Sequence, residues 1–401
     1  MNATSNADRP VGDARPIVYK TGVYKPAVYK HFHRIAWLAV ALALGVIVFG
    51  AFVRLSNAGL SCPDWPTCYG RASWPTAVSQ GVTDHAATAI RPLEVHKAWR
   101  EQLHRMIAGA LGVLVLVLAL LAARKRKAGV LQVVVASLLV ALAIPLYMRG
   151  QHVAASVLAI GGEAILLFAA LRWSNVDLAR TATLTLAVII FQALLGMWTV
   201  TWLLKPIVVM GHLLGGLTTF ALLAWMAWRA THSPIRLVDA QALRRWVVVV
   251  LVLLAVQVAL GGWTSANYAA LACANDFPKC VGHWWPPQDF REGFVLWRGI
   301  GVDYEGGILD GASRIAIQMV HRMMAVVAFA ALITLAVRLL RTPGLRGWAV
   351  LLGLLACTQV ALGIANVKLS LPLDVAVAHN AGAALLLFVL VSLLARLRTV
   401  D

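Results

Sequence analysis

The stretch GAFVRLSNAGLSC, residues 50–62, aligns without a gap on GGWTSANYAALAC, residues 261–273. Each stretch completes an apolar run of helix length, and each ends on a cysteine. A second cysteine follows soon afterwards, within SCPDWPTCYG at 61–70 and within ACANDFPKCVG at 272–282. The chain therefore contains the same membrane helix and cysteine-bracketed loop twice. Internal repeats of this kind often place the functional site at or within the repeat units of a membrane protein.

The repeat extends well beyond the two loops. Three further pairs of segments match in the same order: EQLHRMIAG (101–109) with IQMVHRMMAV (317–326), FQALLGMWTV (191–200) with TQVALGIANV (358–367), and GHLLGG (211–216) with AHNAGA (378–383). The sequence therefore predicts two homologous halves, one over 36–228 and one over 245–401, joined by a basic cytoplasmic linker at 229–244. A basic cytoplasmic tail, 1–35, precedes them.

The composition is that of a polytopic membrane protein. Of the 401 residues, 60% are hydrophobic and only 13% are charged, about half the charged fraction of a soluble domain. Apolar runs of about 20 residues, each long enough to cross a bilayer, recur along the chain. They predict an all-α fold of about ten transmembrane helices, at 36–54, 101–123, 130–148, 153–172, 181–203, 207–228, 245–264, 315–340, 345–367 and 373–396.

The halves differ by one insertion. His104 and His212 are 108 residues apart, whereas His321 and His379 are 58 apart. The difference falls on the two helices within 127–176, so each half is a four-helix bundle once this pair is set aside. We expect the inserted pair at the periphery of the first bundle. It carries an intramembrane acid, Glu163, for which we favour a helix-contact role because it has no repeat partner.

The net charge of +18 does not predict nucleic-acid binding, because the charges alternate with the helices. Lysine and arginine cluster at every second helix junction, and the intervening loops carry about one basic residue each. This is the positive-inside pattern. It predicts that both termini are cytoplasmic and that both cysteine loops lie outside, which in a bacterial inner membrane means the periplasm.

The cysteines fit that placement. In an oxidising compartment, Cys62 with Cys68 and Cys273 with Cys280 can close as small disulfides. A structural staple and a redox role are equally compatible with the sequence. Cys357 lies in the middle of a span without a partner, and we expect it to be a small buried hydrophobic residue.

Four histidines, His104, His212, His321 and His379, occupy matching places near the outer ends of inward-running helices. Small residues follow each by four positions, on the same helix face: Ala108, Gly216, Ala325 and Ala383. Such clearance suits the flat edge of a porphyrin. A zinc or copper ion would need no clearance and would gather three or four ligands at one point. Facing histidines in a four-helix bundle suit haem iron, so we predict one haem in each half.

Charged and polar residues lie next to two of the histidines, and they differ between the halves. Arg105 and Arg322 each follow a histidine, and either haem propionates or lipid headgroups would suit them. Glu101 lies three residues before His104 on the same helix face, whereas Gln318 occupies the matching place before His321. A carboxylate at this position is costly unless it is used. The first half is therefore expected to be the reactive one, with Glu101 as the candidate catalytic residue.

Several motifs together resemble the haem A synthase family, in the proteobacterial form that keeps both cysteine pairs. They are RLSNAGLSCPDWPTCYG (54–70), Glu101-x-x-His104-Arg105, GHLLGG (211–216), NYAALAC (267–273), FREGF (290–294) and VAHNAGAALL (377–386). The resemblance covers nearly all of 36–396. The insertion at 127–176 departs from the eight-helix pattern of that family.

The resemblance implies an enzyme that oxidises a porphyrin methyl group of haem O to a formyl, giving haem A for terminal oxidases. It implies that His104 and His212 hold the substrate haem, that His321 and His379 ligate a haem B cofactor, and that Glu101 is the glutamate of the family's second helix. Haem O synthase and a terminal oxidase are the partners it suggests. It names no electron donor.

Two other classes compete with this interpretation. A two-haem electron-transfer protein of quinol or cytochrome type usually places its histidine pairs near opposite membrane faces. Here all four histidines lie at one side, and Glu101 breaks the symmetry between the halves. A transporter would explain the repeat and Glu163, but it leaves the register of the four histidines unexplained. The sequence therefore favours the synthase.

Overall fold

The computed structural model describes residues 30–76 and 92–399, and ten of its helices are long and apolar enough to cross a membrane. All ten predicted spans are confirmed. Most of the basic tail predicted over 1–35 lies outside the described residues. The elements are α1 (Phe32–Leu55), α2 (Val95–Ala123), α3 (Gly129–Met148), α4 (His152–Arg172), α5 (Ala179–Thr201), α6 (Pro206–Thr231), β1 (Ile235–Leu237), α7 (Ala240–Ala266), α8 (Phe290–Gly293), α9 (Gly311–Leu340), α10 (Arg346–Lys368), α11 (Leu373–Arg396) and β2 (Leu397–Thr399).

The long helices form two four-membered rings. In the first ring α1 contacts α2, α2 contacts α5, α5 contacts α6, and α6 returns to α1. The second ring repeats this order with α7, α9, α10 and α11. Helices α6 and α11 form most of the contact between the rings, together with α1 and α7. Each half is thus a four-helix bundle, the arrangement in which side chains of facing helices build cofactor sites.

The inserted helices α3 and α4 pack closely against each other. A methyl group at Gly162 of α4 would lie 2.8 Å from the carbonyl oxygen of Ala136 on α3, so only glycine permits this approach. The pair contacts the first ring through α2 and α5. It therefore flanks the first bundle, where we expected it.

Two short strands were not expected from the sequence. Strands β1 and β2 pair in parallel, with Ile235 opposite Leu397. Arg244 reinforces the pairing, because its Nη1 donates to the carbonyl oxygens of Leu394 and Leu397, at 3.0 Å each. Three-residue segments are too short to show the alternation that identifies a strand in a sequence. Their effect is to fasten the linker between the halves to the end of the chain.

The outer surface of the bundles is apolar. Large side chains such as Val153, 81% exposed, and Val326, 69% exposed, point away from the interior. Cys357 is also exposed, on α10, so the expectation that it is buried was wrong. A thiol is apolar enough to face lipid, and hydrophobicity alone does not distinguish the lipid-facing side of a membrane helix from its buried side.

Both cysteine loops lie at the same end of the molecule, and both disulfides, Cys62–Cys68 and Cys273–Cys280, are formed. The helices that lead into the loops end side by side. Arg54 at the end of α1 donates to the carbonyl oxygen of Ser265 at the end of α7 over 3.0 Å. Its guanidinium lies 4.5 Å from the centre of the Tyr268 ring, within the range of a cation–π contact.

An arginine braces each disulfide loop in the same way. Arg105 Nη1 donates to the carbonyl oxygens of Asp64 and Thr67, at 2.7 and 2.6 Å. In the second half, Arg322 donates to the carbonyl oxygens of Asp276 and Lys279, at 3.0 Å each. Because these arginines directly follow His104 and His321, each loop is fixed above the histidine of its own half.

Removing one brace tests this arrangement. Hydrogen bonds from a charged donor contribute about 1.5–3 kcal/mol. Arg322→Ala should therefore accelerate amide hydrogen exchange in residues 276–282 by about tenfold or more. Exchange followed by mass spectrometry measures this.

Arg314→Ala is the matched control, because Arg314 lies on the same helix and, among the described residues, donates only to the carbonyl oxygen of Asp310, four residues earlier. Equal acceleration in both variants, or none in Arg322→Ala, would contradict the bracing role.

Candidate haem-binding site

All four histidines line one cavity of about 2150 Å³ that extends through both rings. The small residues predicted to clear space beside them, Ala108, Gly216, Ala325 and Ala383, line it too. In each half the two histidines project from helices that are not neighbours in the ring, α2 and α6 in the first and α9 and α11 in the second. They therefore face the interior of a bundle from opposite corners.

Each imidazole packs against a glycine on a neighbouring helix of the same four-helix bundle. A methyl group built at that glycine would approach the Cε1 atom of the imidazole closely. The distances are 2.8 Å for Gly50 to His104, 3.1 Å for Gly196 to His212, and 3.2 Å for both Gly261 to His321 and Gly363 to His379. The glycine therefore lets the helix backbone come close to the Cε1 atom of the imidazole.

Three of the four histidines also contact a glutamine one helical turn before that glycine. Gln192 Nε2 lies 2.9 Å from His212 Nδ1, and Gln257 Nε2 lies 3.2 Å from His321 Nδ1. Gln359 Nε2 lies 3.4 Å from Nε2 of His379. Each carboxamide also donates to the carbonyl oxygen of the same histidine. These contacts fix the plane of the ring and leave one ring nitrogen for a ligand.

His104 has no such glutamine. The position one turn before Gly50 is Val46, and His104 Nδ1 is buried without a hydrogen-bond partner among the described residues. The cavity is lined by Val46 in the first half and by Gln257 in the second. The two halves therefore differ at a place that is next to only one of the four histidines in the described part of the chain.

These residues fit a haem better than a bare ion. Within residues 30–76 and 92–399 there is no group of three or more histidine, cysteine or acidic side chains that could hold a metal ion, whereas haem iron needs only one or two protein ligands. The glutamine oxygens support the same conclusion. Oε1 of Gln192, Gln257 and Gln359 is buried without a partner in the described part of the chain. When one ring nitrogen binds iron, the other carries a proton. A half-turn of the carboxamide would offer Oε1 to that proton in place of Nε2, and the bond from Nε2 to the histidine carbonyl oxygen would then be lost.

Glu101 is buried, with 5% of its surface exposed, and it borders the cavity. Its Oε2 accepts hydrogen bonds from the backbone N–H groups of Ser61 and Cys62, at 2.8 and 2.9 Å. Its Oε1 accepts from Arg105 Nη2 at 2.6 Å. The carboxyl group is thus paired with Arg105 and fixed beside the first disulfide. Gln318, in the matching place, is also buried, and its Oε1 has no partner among the residues described.

The arginines predicted to pair with propionates have protein partners. Arg105 and Arg322 line the cavity, but their guanidinium groups donate to loop carbonyl oxygens. A contact between these arginines and haem propionates remains a prediction. It requires each guanidinium group to bind a propionate while it still donates to the loop carbonyl oxygens.

The inserted pair forms one wall of the cavity in the first half. Ser137, Tyr147 and Glu163 are among the side chains that line it. Glu163 Oε1 is buried and has no partner within the described ranges, so no hydrogen bond is recorded for this oxygen to support the helix-contact role that we favoured. Because the second half has no such pair, the space around its histidines is bounded by fewer helices.

The glutamines were missed in the sequence, although a signal for them exists. The segment QVALG occurs twice, at 257–261 and 359–363, and QALLG occurs at 192–196. In each, glutamine and glycine are four residues apart and so share a helix face. The spacing of glutamine and glycine can be recognised in the sequence. The sequence does not show which histidine each glutamine contacts.

Comparison with known proteins shows the family to which the chain belongs. The COX15-CtaA family, described as cytochrome oxidase assembly protein, matches residues 33–150 and 152–391. The chain is 37% identical over 367 residues to the haem A synthase of Shewanella oneidensis, covering 90% of this chain and 96% of that protein. It is 27% identical over 367 residues to the haem A synthase of Rhizorhabdus wittichii, covering 87% and 89%. It is 30% identical over 221 residues to that of Caulobacter vibrioides, covering 52% and 60%.

The close packing of glycine on histidine can be tested in the second half. A methyl group at Gly363 would lie 3.2 Å from His379 Cε1, so Gly363→Val forces the ring away from the cavity. We expect this variant to lose most of the haem bound in the second half. Absorbance spectra and extracted haem content of the purified protein measure the loss.

Gly353 provides the control on the same helix, because nothing lies within 4 Å of a methyl group there. Gly353→Val should keep the haem. Normal haem content in Gly363→Val would show that His379 does not need this contact.

Proposed function

The chain belongs to the COX15-CtaA family of cytochrome oxidase assembly proteins, and from that premise we propose that it is a haem A synthase acting on haem O. The observation that carries the proposal is the cavity, which brings two pairs of histidines together from two homologous bundles. The proposal is supported by the 37% identity, over almost the whole chain, to a protein named haem A synthase.

The proposed reaction converts a methyl group on the porphyrin into a formyl group. Two methyl hydrogens are replaced by one oxygen, so the enzyme is an oxidoreductase that acts on a C–H bond. With the oxygen counted at the level of water, this is a four-electron oxidation: the methyl group and one water give the formyl group, four protons and four electrons. The protein therefore needs a group that accepts electrons and a group that handles protons beside the same porphyrin edge.

We assign haem O to His104 and His212 in the first half, and a haem B cofactor to His321 and His379 in the second. The difference between the halves supports this order. Only the first half has a carboxylate three residues before its histidine, at Glu101, whereas the second has the neutral Gln318. Bound haem B would supply one-electron redox chemistry. The first half supplies an acid–base group next to the substrate.

Glu101 is suited to that role by its surroundings. A buried carboxylate is costly unless it is paired and hydrogen-bonded, and Arg105 with two backbone N–H groups meets this requirement. Held in this way, the carboxylate can accept a proton from the substrate or stabilise positive charge that develops on the reacting carbon. An acid–base group of this kind contributes roughly 10²–10⁴-fold to the rate.

We place the protein in the bacterial inner membrane with both termini in the cytoplasm and both disulfide loops in the periplasm. The alternation of basic residues along the sequence supports this orientation. The position of both disulfides at one end of the molecule is consistent with it. In this setting haem O synthase would supply the substrate and a terminal oxidase would receive the product.

Glu101→Gln tests the catalytic role. It keeps the size of the side chain and an oxygen that can accept from Ser61 and Cys62, but it removes the charge. We expect both haems to remain bound while oxidation stalls, so that haem O or its alcohol intermediate accumulates. Chromatography of haems extracted from cells making the variant measures this.

Two controls separate the carboxylate from the ion pair. Glu94→Gln removes a carboxylate one residue before α2, where Glu94 pairs with Lys97 at 2.9 Å, and should form haem A normally. Arg105→Gln breaks the same ion pair as Glu101→Gln but keeps the acid. If Arg105→Gln stalls as fully as Glu101→Gln, the ion pair and not the carboxylate is what the reaction needs.

The assignment of the halves has its own test. His321→Ala or His379→Ala should remove haem B from the purified protein, because each deletes an iron ligand, and should leave haem O or haem A in the first half. Haem chromatography and the low-spin absorbance bands report both outcomes. A variant with normal haem B and no haem O or haem A would reverse the assignment.

A further inference from the structure

The histidine sites differ in one contact that the repeat makes easy to see. A glycine on a neighbouring helix packs against each of the four histidines. On α5, α7 and α10 a glutamine lies one helical turn before that glycine. On α1 the same position is Val46. A duplicated bundle has therefore kept the close glycine at all four sites and lacks the amide at His104 alone.

The amide changes the strength of the iron ligand. A hydrogen bond from the second ring nitrogen to an acceptor orients the imidazole and makes it more basic, and loss of such a partner typically costs about 10–100-fold in metal affinity. At His104 the apolar Val46 offers no polar atom to the ring. Nδ1 of His104 and Nδ1 of His379 are both buried without a partner among the residues that the structure describes, but Nε2 of His379 lies 3.4 Å from Gln359 Nε2. An iron held by His104 and His212 would thus have one ligand with a glutamine beside it, His212, and one without, His104.

We infer that Val46 makes the His104 site the one from which haem is released, while the glutamines hold haem permanently in the second half. The inference rests on the proposed function, in which haem O must enter the first half and haem A must leave it. A cofactor haem has the opposite requirement. Both of its ligands, His321 and His379, contact a glutamine. Val46 would therefore not touch the haem itself. It would affect haem binding through His104, because it lacks the amide that the other three sites have.

The cavity has room for the missing amide. Val46 is only partly buried and borders the open space beside Gly50. A glutamine at this place would stand in the relation to His104 that Gln257 has to His321. Val46→Gln should therefore supply the acceptor that Nδ1 lacks, and Gln257→Val should remove it from the second half.

The experiment measures haem release from the full-length protein in detergent. Excess apomyoglobin takes up dissociated haem, and chromatography of what remains bound distinguishes haem O and haem A from haem B. We expect Val46→Gln to slow release of haem O and haem A by about tenfold or more without changing release of haem B. Gln257→Val should accelerate release of haem B by a similar factor.

Val46→Met is the matched control, because it has the length of glutamine without an amide. The inference is overturned if Val46→Gln releases haem at the wild-type rate, or if Val46→Met slows release equally. Should Val46→Gln fail to fold, Gln257→Val tests the same physical effect on its own, and unchanged haem B release would overturn it.

Failure of the proposed function would look different. Wild-type protein would then contain haem B in both halves and no haem O or haem A. The inference would still be decided, because Val46→Gln should remove the faster of the two phases of haem B release.

Discussion

The close contact between a glycine and an imidazole is the constraint on which the arrangement of both bundles depends. A methyl group built at each glycine would lie only 2.8–3.2 Å from the ring, so a side chain there would displace the imidazole or the helix. The spacing of the helix pairs α1–α2, α5–α6, α7–α9 and α10–α11 is therefore fixed where each histidine sits. Close packing of this kind is typical of membrane helices, since small residues let backbones approach where burial of apolar surface offers no driving force. Here the same approach also restricts the direction in which each of the four histidines points.

The disulfide loops depend on that constraint in turn. Arg105 and Arg322 each lie one residue beyond a histidine, so the helix that presents the imidazole also presents the brace for the loop above it. In the first half Glu101 adds a second connection, because its carboxylate joins Arg105 to the backbone beside Cys62. The acid, the arginine and the loop form one network of charged and backbone groups, bonded at 2.6–2.9 Å. Buried charges tolerate such a position only when every partner is present.

Much of this was predictable from the sequence, for identifiable reasons. The ten spans follow from length and hydrophobicity, and the four histidines follow from the repeat, because a duplication places equivalent residues at equivalent depth. The disulfides followed from spacing and compartment. The strands at Ile235–Leu237 and Leu397–Thr399 did not follow, since a three-residue pairing between distant segments leaves no periodic signal. The exposure of Cys357 was predicted wrongly, because hydrophobicity is uniform around a helix that meets lipid on one side and protein on the other.

The site was predictable only in part, and the missing part is informative. Helical spacing places Glu101 beside His104, but it does not show that Arg105 turns towards the loop. Nor does it show that a glutamine on a neighbouring helix reaches the ring, because such contacts cross between elements. The structure allows equivalent positions of the two halves to be compared within one molecule. Glycine is retained at all four places, so a ring in this position is needed in both halves. The acid and the amide vary, with Glu101 opposite Gln318 and Val46 opposite Gln257. Both differences lie next to His104. The two copies therefore share the same glycine–histidine packing and differ in the polar groups that surround this histidine.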